Sequence, residues 1–425
     1  MMRRLVPGLM LFLLWAAPLS AQTLRDNVED LFRFGDCGEP LCLPVDPLVH
    51  GQHFIPALQT GGANVLSFLT NSVGATVANI PISAATSGAV WGKSETGLPV
   101  RTATSAGPVF AERVETLGKG HFLVGANFTN FNFTSLRGVP LNSLAFAFAH
   151  VDESDAAFEN DVLEVRTDLD VNLSAVTAVM TYGLLDRLDL GVAIPFVRTS
   201  LSGTSQALIV PFDQNILHRF GTEANPSLTA STSTDGSASG IGDIAARLKA
   251  HVVQGERMGF TILGEVRLPT GKEEDLLGSG EVAVRGLGIV SGRYGDFTPH
   301  ANFGYLHRGG DFQTGAVLAT LGFDQLIGGA VTFAADVISE WQAGDSKLVQ
   351  PAPVVLNIPV GTATSARIVP PSNIPEQKDN VVLGSFGFKF TTSTGVTLLT
   401  NALVPIRRGY LQPDVAWTAG VEYSF

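Results

Sequence analysis

The last eleven residues of the chain constrain its fold more than any other stretch. From Val415 to Phe425, apolar or aromatic residues alternate without a break with small or polar ones, and the chain ends on an aromatic ring. A period of two is typical of a strand with one apolar face and one polar face. A tilted strand of about 9–11 residues can cross a bilayer. The stretch therefore predicts the closing strand of a transmembrane β-barrel.

Four further stretches, within residues 163–179, 243–252, 260–268 and 331–341, alternate in the same way and keep their charges on one face. A charge that faces lipid near the bilayer midplane costs ~2–4 kcal/mol, whereas a charge in the lumen is tolerated. We therefore predict that these charged faces line the lumen, where ion pairs connect the wall to a plug. The predicted lumen-facing charges are Glu164, Arg166, Asp168, Asp170, Asp243, Arg247, Lys249, Glu265, Arg267, Asp336 and Glu340.

The connections between the strands alternate in length. Short turns such as 185–189 and 392–395 are separated by long connections such as 200–239 and 343–378. Outer-membrane barrels have short periplasmic turns and longer outer loops, and a soluble β-sandwich has no such rule. The alternation predicts an all-β fold, an antiparallel up-and-down transmembrane barrel.

The hairpins counted from Phe122 onward give twelve strands. A further β-like hairpin at 74–116 would make fourteen, and residues 117–120 are typical of one more short turn. Both counts are even, as bacterial barrels require. We prefer fourteen strands, with the barrel at 74–425, and keep twelve as the alternative.

Residues 1–21 have the order of a secretory signal peptide: Arg3 and Arg4, then an apolar run, then small residues before a predicted cleavage after Ala21. Its removal leaves 25 of the 27 basic residues against 39 acidic ones, a net charge of −14. Nucleic-acid binding requires basic patches, so this class of partner is excluded. With no long apolar run elsewhere, export predicts a Gram-negative outer membrane as the destination.

Residues 22–73 do not have the strand pattern. Apolar residues recur at helical spacing in 23–34 and 63–73, on either side of a proline-rich loop. Large barrels are often plugged by such a segment, so we predict an N-terminal plug. Its apolar side chains could line a path for a hydrophobic ligand or form the plug's own core, and the sequence leaves both open. These candidates are Phe54, Ile55, Phe68 and Leu69.

The two cysteines of the chain, Cys37 and Cys42, are separated by four residues. In an oxidising, exported compartment this spacing favours a local disulfide. A metal site would need further ligands nearby, and a redox pair would need a thioredoxin-like context. We predict a structural disulfide, with these two alternatives less favoured.

The sequence patterns that could indicate a nucleotide, metal or catalytic site each lack a required feature. The glycines of 240–245 match a loose dinucleotide fingerprint, but period two continues after them where a helix is required. His50 and His53 have no third ligand near them, and no Gly-x-Ser-x-Gly elbow occurs. We predict no cofactor, no metal and no catalytic site. The acidic run from Asp152 to Asp170 could hold cations that bridge lipopolysaccharide, but a solvated loop is favoured.

One set of motifs resembles a known family. Ser239-Gly240-Ile241-Gly242-Asp243-Ile244 is followed by Arg247 and Lys249, then by Leu268-Pro269-Thr270-Gly271 and Leu277-Gly278-Ser279-Gly280. Over about residues 115–425 the chain resembles the outer-membrane barrels grouped with the meta-pathway of phenol degradation. Its plug, strand number and terminal Phe are also similar to FadL-type transporters. The nearest match to their plug motif, Ile55-Pro56-Ala57, has Ile in place of Asn and lies too far along the chain.

The resemblance implies passive uptake of aromatic hydrocarbons or fatty acids, from an outer apolar groove past the plug and through an opening in the wall. It also implies that Phe425 is a signal read by the outer-membrane assembly machinery. The expected partners are the lipid bilayer, lipopolysaccharide and a small hydrophobic ligand. The alternative is a structural or surface-interaction barrel whose long loops 135–160, 200–239 and 343–378 bind an external partner.

Overall fold

The computed structural model describes residues 22–35, 38–39, 41–43, 54, 67, 69–73, 76, 82, 84, 91–93, 99–101, 105–150, 161–210, 218–222, 224–310, 314–347, 353–360 and 363–425. Helix α1 spans Leu24–Asp30, and a 3-10 turn spans Leu141–Ser143. The strands are β1 Phe34–Gly35, β2 Leu41–Cys42, β3 Trp91–Lys93, β4 Pro99–Arg101, β5 Phe122–Leu136, β6 Val139–Pro140, β7 Leu144–Ala149, β8 Val162–Leu185, β9 Leu188–Val210, β10 Phe220–Thr222, β11 Asn225–Ser227, β12 Thr229–Ile241, β13 Ile244–Gln254, β14 Met258–Leu268, β15 Ala283–Gly292, β16 Phe297–Arg308, β17 Ala316–Ile327, β18 Val331–Gln342, β19 Val354–Val360, β20 Ala363–Val369, β21 Val381–Thr391, β22 Val396–Arg407 and β23 Leu411–Ser424.

Twelve antiparallel strands close into a barrel, in the order β5, β8, β9, β13 to β18, β21, β22 and β23. The last strand pairs with the first from Leu411 with Leu136 to Ser424 with Leu123, which removes both sheet edges. The all-β barrel is therefore confirmed. The preferred count of fourteen is wrong, and twelve is correct. Of the described residues in 74–116, β3 and β4 form a separate two-stranded sheet, and 105–116 contribute no barrel strand.

The closing strand β23 has the two faces that its sequence predicts. Trp417, Val421 and Tyr423 are exposed on the outside of the barrel. Thr418 and Glu422 are buried on the inside. β21, two strands away in the barrel, repeats the pattern, with Phe386, Phe388 and Phe390 exposed on its outer face. Because lipid is the solvent that favours such a continuous apolar band, the band indicates that the strands span a membrane.

The outer edge of this apolar band can be read across three paired strands. Val176, Phe196 and Ile241 lie in one row on β8, β9 and β12, and all three are exposed. The next row outward is Ser174, Arg198 and Ser239. Beyond it the outer face is polar, because β8 and β9 have 24 and 23 residues and continue past the membrane. The pairing of β9 with β12 extends this projecting sheet.

This extension corrects part of the lumen prediction. On β8 it is the odd-numbered residues Leu163, Val165, Leu169 and Val171 that are buried on the inner face. Their charged neighbours point outward, on the projecting part of the strand where the surroundings are water. Alternation alone cannot distinguish a polar face that lines the lumen from a polar face that meets water outside the barrel. The prediction therefore assigned the outer face of β8 to the lumen. The outward-facing residues are Glu164, Arg166, Asp168 and Asp170.

Helix α1 packs on the inner face of the projecting sheet. Thr23 and Asp26 form a reciprocal capping box, and hydrogen bonds from Thr23 lower the pKa of the Asp26 carboxyl. A Cβ at Gly203 would lie 2.8 Å from Leu31 Cδ1, and one at Gly236 would lie 2.2 Å from Asn27 Nδ2. A larger residue at either position would therefore push the Leu31 or Asn27 side chain aside. Among the described residues no helix has the length and apolar character to cross a bilayer.

Candidate lumen site

Residues 105–117, here called the lumen segment, run through the barrel as irregular backbone, with bends at 109–111 and 114 and a positive φ at Gly107. Among the described residues the segment pairs with no strand, and side chains of the wall satisfy part of its backbone. Ala106 N donates to Thr332 Oγ1 (2.8 Å), Val114 N to Ser291 Oγ (3.1 Å) and Leu117 N to Asp189 Oδ2 (2.9 Å). Because a buried backbone group without a partner is costly, these contacts fix the segment to several strands at once.

Buried ion pairs add to this attachment. Lys249 Nζ lies 2.9 Å from Glu112 Oε2, and Arg113 Nη1 lies 3.4 Å from Asp324 Oδ2. All four side chains are almost completely buried. Ser105 Oγ also bonds to Asp324. Removal of one partner would leave a buried charge, so the pairs hold the segment in a single register.

A cluster of cationic side chains lies beside the segment on β13, β14 and β15. Glu265 Oε2 accepts from Arg247 Nε (2.7 Å), and Glu265 Oε1 accepts from Arg267 Nε (2.8 Å). Arg285 Nη2 donates to the same carboxylate. Three guanidinium groups therefore share one carboxylate. We call Arg247, Arg267, Arg285, Lys249, Glu265 and Glu112 the cationic cluster.

Other ionisable side chains of the wall form smaller groups, and His300 lies between Asp336 and Asp324. His300 Nε2 lies 2.6 Å from Asp336 Oδ1, and Arg308 Nη2 lies 2.6 Å from Glu340 Oε1. Lys389 Nζ lies 3.7 Å from Glu422 Oε2. These pairs connect neighbouring or nearby strands and leave the cationic cluster as the densest group of positive charge on the described part of the wall.

A cavity of about 210 Å³ lies inside the barrel between the cationic cluster and the opposite wall. Its lining is mostly apolar, and the charged residues that reach it are Glu265, Arg267, Arg285 and Glu340. The remaining lining residues include Phe110, Phe131, Leu287, Leu306, Leu318, Ile338, Val381, Leu383, Leu403, Tyr410 and Leu411. Concave sites that are mostly apolar with a few polar groups are typical of small-molecule binding.

The phenol of Tyr410 is a titratable group of the cavity that stays neutral. Tyr410 follows β22 in an outer connection, and burial, with the Glu340 carboxylate nearby, raises the pKa of its phenol well above the ordinary value. The hydroxyl is therefore a neutral hydrogen-bonding group at physiological pH. Arg308 lies 6.0 Å from the centre of the same ring.

The wall beside the cavity is incompletely paired. The ladder between β22 and β23 ends at Leu403 with Ala416, although both strands continue. Pro405 and Pro413 lie just beyond this point and lack the N–H that a ladder needs. Leu403, Pro405, Pro413 and Ala416 all line the cavity. Val404 and Ile406 are exposed on the outer face of the same part of β22. We call this place the β22–β23 gap.

The structure places the other predicted lumen charges on the inner side of the barrel. They are Arg247, Lys249, Glu265, Arg267, Asp336 and Glu340. Asp243 is buried at the break between β12 and β13. It accepts hydrogen bonds from Gly271 N (3.1 Å) and Ser279 N (2.9 Å), so it anchors the 269–282 connection.

The residues of the predicted plug that were candidates for a ligand path lie in different places. Phe54 and Leu69 are buried in the apolar core and do not line the cavity. Phe54 packs against the rings of His150 and His218. Ile55, Phe68, His50 and His53 lie outside the described residues, as does Cys37. Cys42 is disulfide-bonded.

Sequence reasoning missed two features of the site. Arg285 follows the alternation of β15, whose inner face also includes Leu287 and Ile289, so a strand assignment there could have found it. The lumen segment was missed because its apolar residues are consistent with a strand. Its charges Glu112, Arg113 and Glu115 could have shown that both of its sides meet polar groups.

Comparison with known proteins finds one matching family model and several solved barrel structures that resemble this chain. A family model described as "Putative MetA-pathway of phenol degradation" matches residues 152–347. No curated protein matches the sequence. Among solved structures, the COG4313 outer membrane channel from Pseudomonas putida F1 is 12% identical, with 73% of this chain and 98% of that chain covered and a TM-score of 0.42.

Two other similar structures are a Pseudomonas aeruginosa FadL homologue and the CymD monoaromatic hydrocarbon channel. The first is 10% identical, with 72% of this chain and 89% of that chain covered and a TM-score of 0.29. The second is 8% identical, with 72% and 88% covered and a TM-score of 0.31. Over residues 152–347, the family match confirms the resemblance to the phenol-degradation barrels that the motifs from Ser239 to Gly280 predicted.

Proposed function

We propose that this chain is an outer-membrane channel for the passive uptake of small hydrophobic compounds. The observation that carries the proposal is the mostly apolar cavity inside the barrel, which adjoins the β22–β23 gap. The lumen segment crosses the interior and is bound to several strands of the wall, so a wide aqueous pore is not the expected route. A ligand would enter from the outer side, rest in the cavity and leave sideways through the gap.

The proposed location is a Gram-negative outer membrane, reached after removal of the signal peptide. The apolar band on the outer face supports the membrane, and the match to the phenol-degradation family supports the class of channel. We propose no catalytic role. In this proposal the lumen segment belongs to the plug together with the predicted segment 22–73, because it has the attachments that a plug needs.

The experiment that tests this function closes the gap chemically. Val404 and Val415 would be opposite each other if the β22–β23 ladder continued, so cysteines at both positions can be joined with a cleavable bifunctional thiol reagent. We expect joining to reduce uptake of radiolabelled 1-octanol and toluene severalfold in cells that lack other hydrophobic-compound channels, and cleavage to restore it.

The matched control joins cysteines at Leu398 and Val421, which are paired within the intact ladder. This control should leave uptake unchanged. The proposal is wrong if cells with and without the protein take up both compounds at the same rate. The sideways exit alone is wrong if the joined Val404–Val415 pair transports normally.

A further inference from the structure

We propose that the outward edge of β12 is a docking site for an extended polypeptide segment with basic side chains, which would add to the projecting sheet as a further strand. The proposal goes beyond the uptake of small compounds, because this edge lies above the apolar band and outside the cavity. We call the backbone of the odd-numbered residues from Thr229 to Ser239 the β12 edge.

The first argument is the hydrogen-bonding pattern of β12. Ile209 N donates to Leu228 O (2.9 Å) just before β12 begins, and Gly242 N donates to Pro195 O (2.8 Å) just after it ends. Hydrogen-bonded pairs alternate along an antiparallel ladder, so the even-numbered residues of β12 bond to β9. The odd-numbered residues turn their N–H and C=O groups to the other side. Among the described residues no strand pairs with that side.

The second argument is that the sequence of β12 does not protect this edge. Natural edge strands are usually protected by lysine, proline, a bulge or a covering element. β12 consists of Ser, Thr, Ala and Gly with one Asp and one Ile, and its register with β9 has no bulge. Its odd-numbered side chains are exposed. Asn27 Nδ2 donates to Asp235 O (3.2 Å) at the middle of the edge, and that carbonyl has a second lone pair.

The opposite edge of the same projecting sheet shows the contrast. There β7 pairs with β8, and its other side is covered by a connection of the chain itself. Ala147 N donates to Pro371 O (3.0 Å), and Asn373 N donates to Ala145 O (3.0 Å). The chain therefore covers one edge of this sheet, while the described residues leave the β12 edge open over the length of the strand.

The third argument is the shape of the space beside the β12 edge, which continues the line of β14. Thr270 follows β14 and ends this line at the level of Gly242, because Thr270 Oγ1 donates to Gly242 O (2.6 Å). The connection then turns to the inner side of the sheet, where Leu276 O accepts from Thr199 Oγ1 (2.9 Å). An added strand could therefore lie beside β12 without displacing the described part of this connection.

The charge beside the edge indicates the class of partner. Two ion pairs in this region are neutral as pairs, namely Arg25 with Glu273 (2.6 Å) and Lys272 with Asp275 (3.5 Å). Asp235 and Glu274 are exposed and form no ion pair with any described residue. Glu274 lies at the beginning of α1, where its carbonyl accepts from Arg25 N (3.0 Å). The surroundings of the edge are therefore acidic, which favours a partner strand with lysine or arginine.

A second copy of the chain in the same membrane does not fit the β12 edge. Two antiparallel edge strands are related by a two-fold axis perpendicular to their sheet, and the projecting sheet stands upright on the membrane. That axis would lie in the membrane plane and invert the second barrel. A two-fold axis along the membrane normal keeps both copies upright, but barrel strands tilt by about 35–45° from it, so the two edges would cross. The occupant is therefore a separate extended segment, bound by strand addition.

The test uses a short fluorescent peptide in which threonine and lysine alternate. Its binding to the full chain in phosphatidylcholine nanodiscs is measured by fluorescence anisotropy, and binding to empty nanodiscs is subtracted. The matched control is the same peptide with N-methyl groups on two adjacent central residues, which keeps the charge and blocks both of its edges. We expect the unmodified peptide to bind about tenfold more tightly or better, because methylation removes the donors that pair with β12 carbonyls.

Two variants of one residue test the edge from the side of the protein. Ser233→Pro removes an N–H group that faces away from β9, a position where an edge strand tolerates proline, and should weaken binding of the lysine peptide about tenfold. Ser233→Ala keeps this N–H group and should bind within about twofold of the wild type. Heat-modifiable migration shows whether both variants assemble. If Ser233→Pro does not assemble, the comparison of the two peptides on the wild type still decides.

The charge is tested separately. Replacement of lysine by glutamate in the peptide should weaken binding severalfold, and Asp235→Asn should reduce the preference for the lysine peptide. Equal binding of the methylated and unmodified peptides, or no binding above empty nanodiscs, overturns the proposal. Equal binding of the lysine and glutamate peptides overturns the assignment of a basic partner. If the edge instead binds added lipopolysaccharide in a way that Ser233→Pro abolishes, and does not bind the lysine peptide, its partner is a glycolipid and the proposal is wrong.

Discussion

Glu265 is the residue on which the charges of the inner wall depend most. Its two oxygens accept from three arginines on three neighbouring strands. A buried ion pair is weak support for stability, but its loss on one side leaves the remaining charge without compensation. Here one neutralised carboxylate would leave three guanidinium groups facing one another, so Glu265 limits which substitutions the wall tolerates.

We predict that Glu265→Gln destabilises the barrel by about 3–5 kcal/mol, the cost of breaking a buried ionic group on one side. The measurement is the urea midpoint at which the folded band shifts to the unfolded band in unheated gel samples. Glu256→Gln is the control, because Glu256 lies exposed in the turn between β13 and β14. Equal midpoints for the two variants would show that Glu265 is not needed for the wall.

For single residues, the sequence predicts whether a side chain points into or out of the barrel only where it also shows that the outer face meets lipid. Arg247 and Glu265 follow from alternation, because the opposite face of their strands is apolar and meets lipid. Asp168 and Asp170 fail by the same rule, because their part of β8 projects beyond the membrane. The length of a strand beyond the bilayer depends on its pairing partners, which one strand's sequence does not contain.

Among the strands, β9 has an outer face that meets lipid at one end and water at the other. Its outward residues change from Leu190, Ile194 and Phe196 to Arg198 and Thr204 within a few positions. The change is explained by the membrane edge, because the backbone pairing with β8 is continuous from one environment to the other. The same strand thus offers a lipid-facing and a water-facing position for comparison.

We predict that Ile194→Arg costs ~2–4 kcal/mol and lowers the fraction of assembled barrel, whereas Thr204→Arg on the same face has little effect. Both side chains point outward, so strand propensity and charge are matched. The measurement is the heat-modifiable fraction in isolated membranes. Normal assembly of Ile194→Arg would contradict the proposed position of the bilayer.

For the whole molecule the decisive contact is the seam between the first and last strands. Phe425 N donates to Phe122 O (2.9 Å), and Phe122 N donates to Phe425 O (2.8 Å). The ring of Phe425 stacks on Phe122 at 5.6 Å and on Tyr423 at 5.4 Å. The final residue therefore completes both the ladder and an aromatic cluster at the rim.

We predict that deletion of Phe425 reduces assembled barrel severalfold without changing export. Phe425→Ala keeps the two backbone hydrogen bonds, so its defect reports the ring alone, and Phe425→Tyr should assemble normally. The measurements are the heat-modifiable band and the amount of protein in the periplasm. Unchanged assembly of the deletion would show that neither the seam contact nor the terminal aromatic is required.

The number of strands shows where sequence reasoning about the whole molecule stops. Alternation and connection lengths are properties of each hairpin, and they predict the twelve strands from Phe122 to the end. The lumen segment lies in the stretch that the sequence predicts as a further hairpin, because its apolar residues give the pattern of a strand. Its true partners, such as Thr332, Asn302 and Ser291, lie about 180 to 230 positions away and cannot be read locally.

The lumen segment also imposes an order of events on biogenesis. It precedes β5 in the chain, yet it is enclosed by the pairing of β23 with β5, the last and first strands of the barrel. Threading it into a finished cylinder would mean desolvating Glu112 and Arg113 along the way. An order of folding that avoids this cost is one in which a curved, open sheet first binds the segment and the first and last strands then pair. We therefore expect the barrel wall to fold around the lumen segment, with the pairing of β23 and β5 as the last and irreversible step.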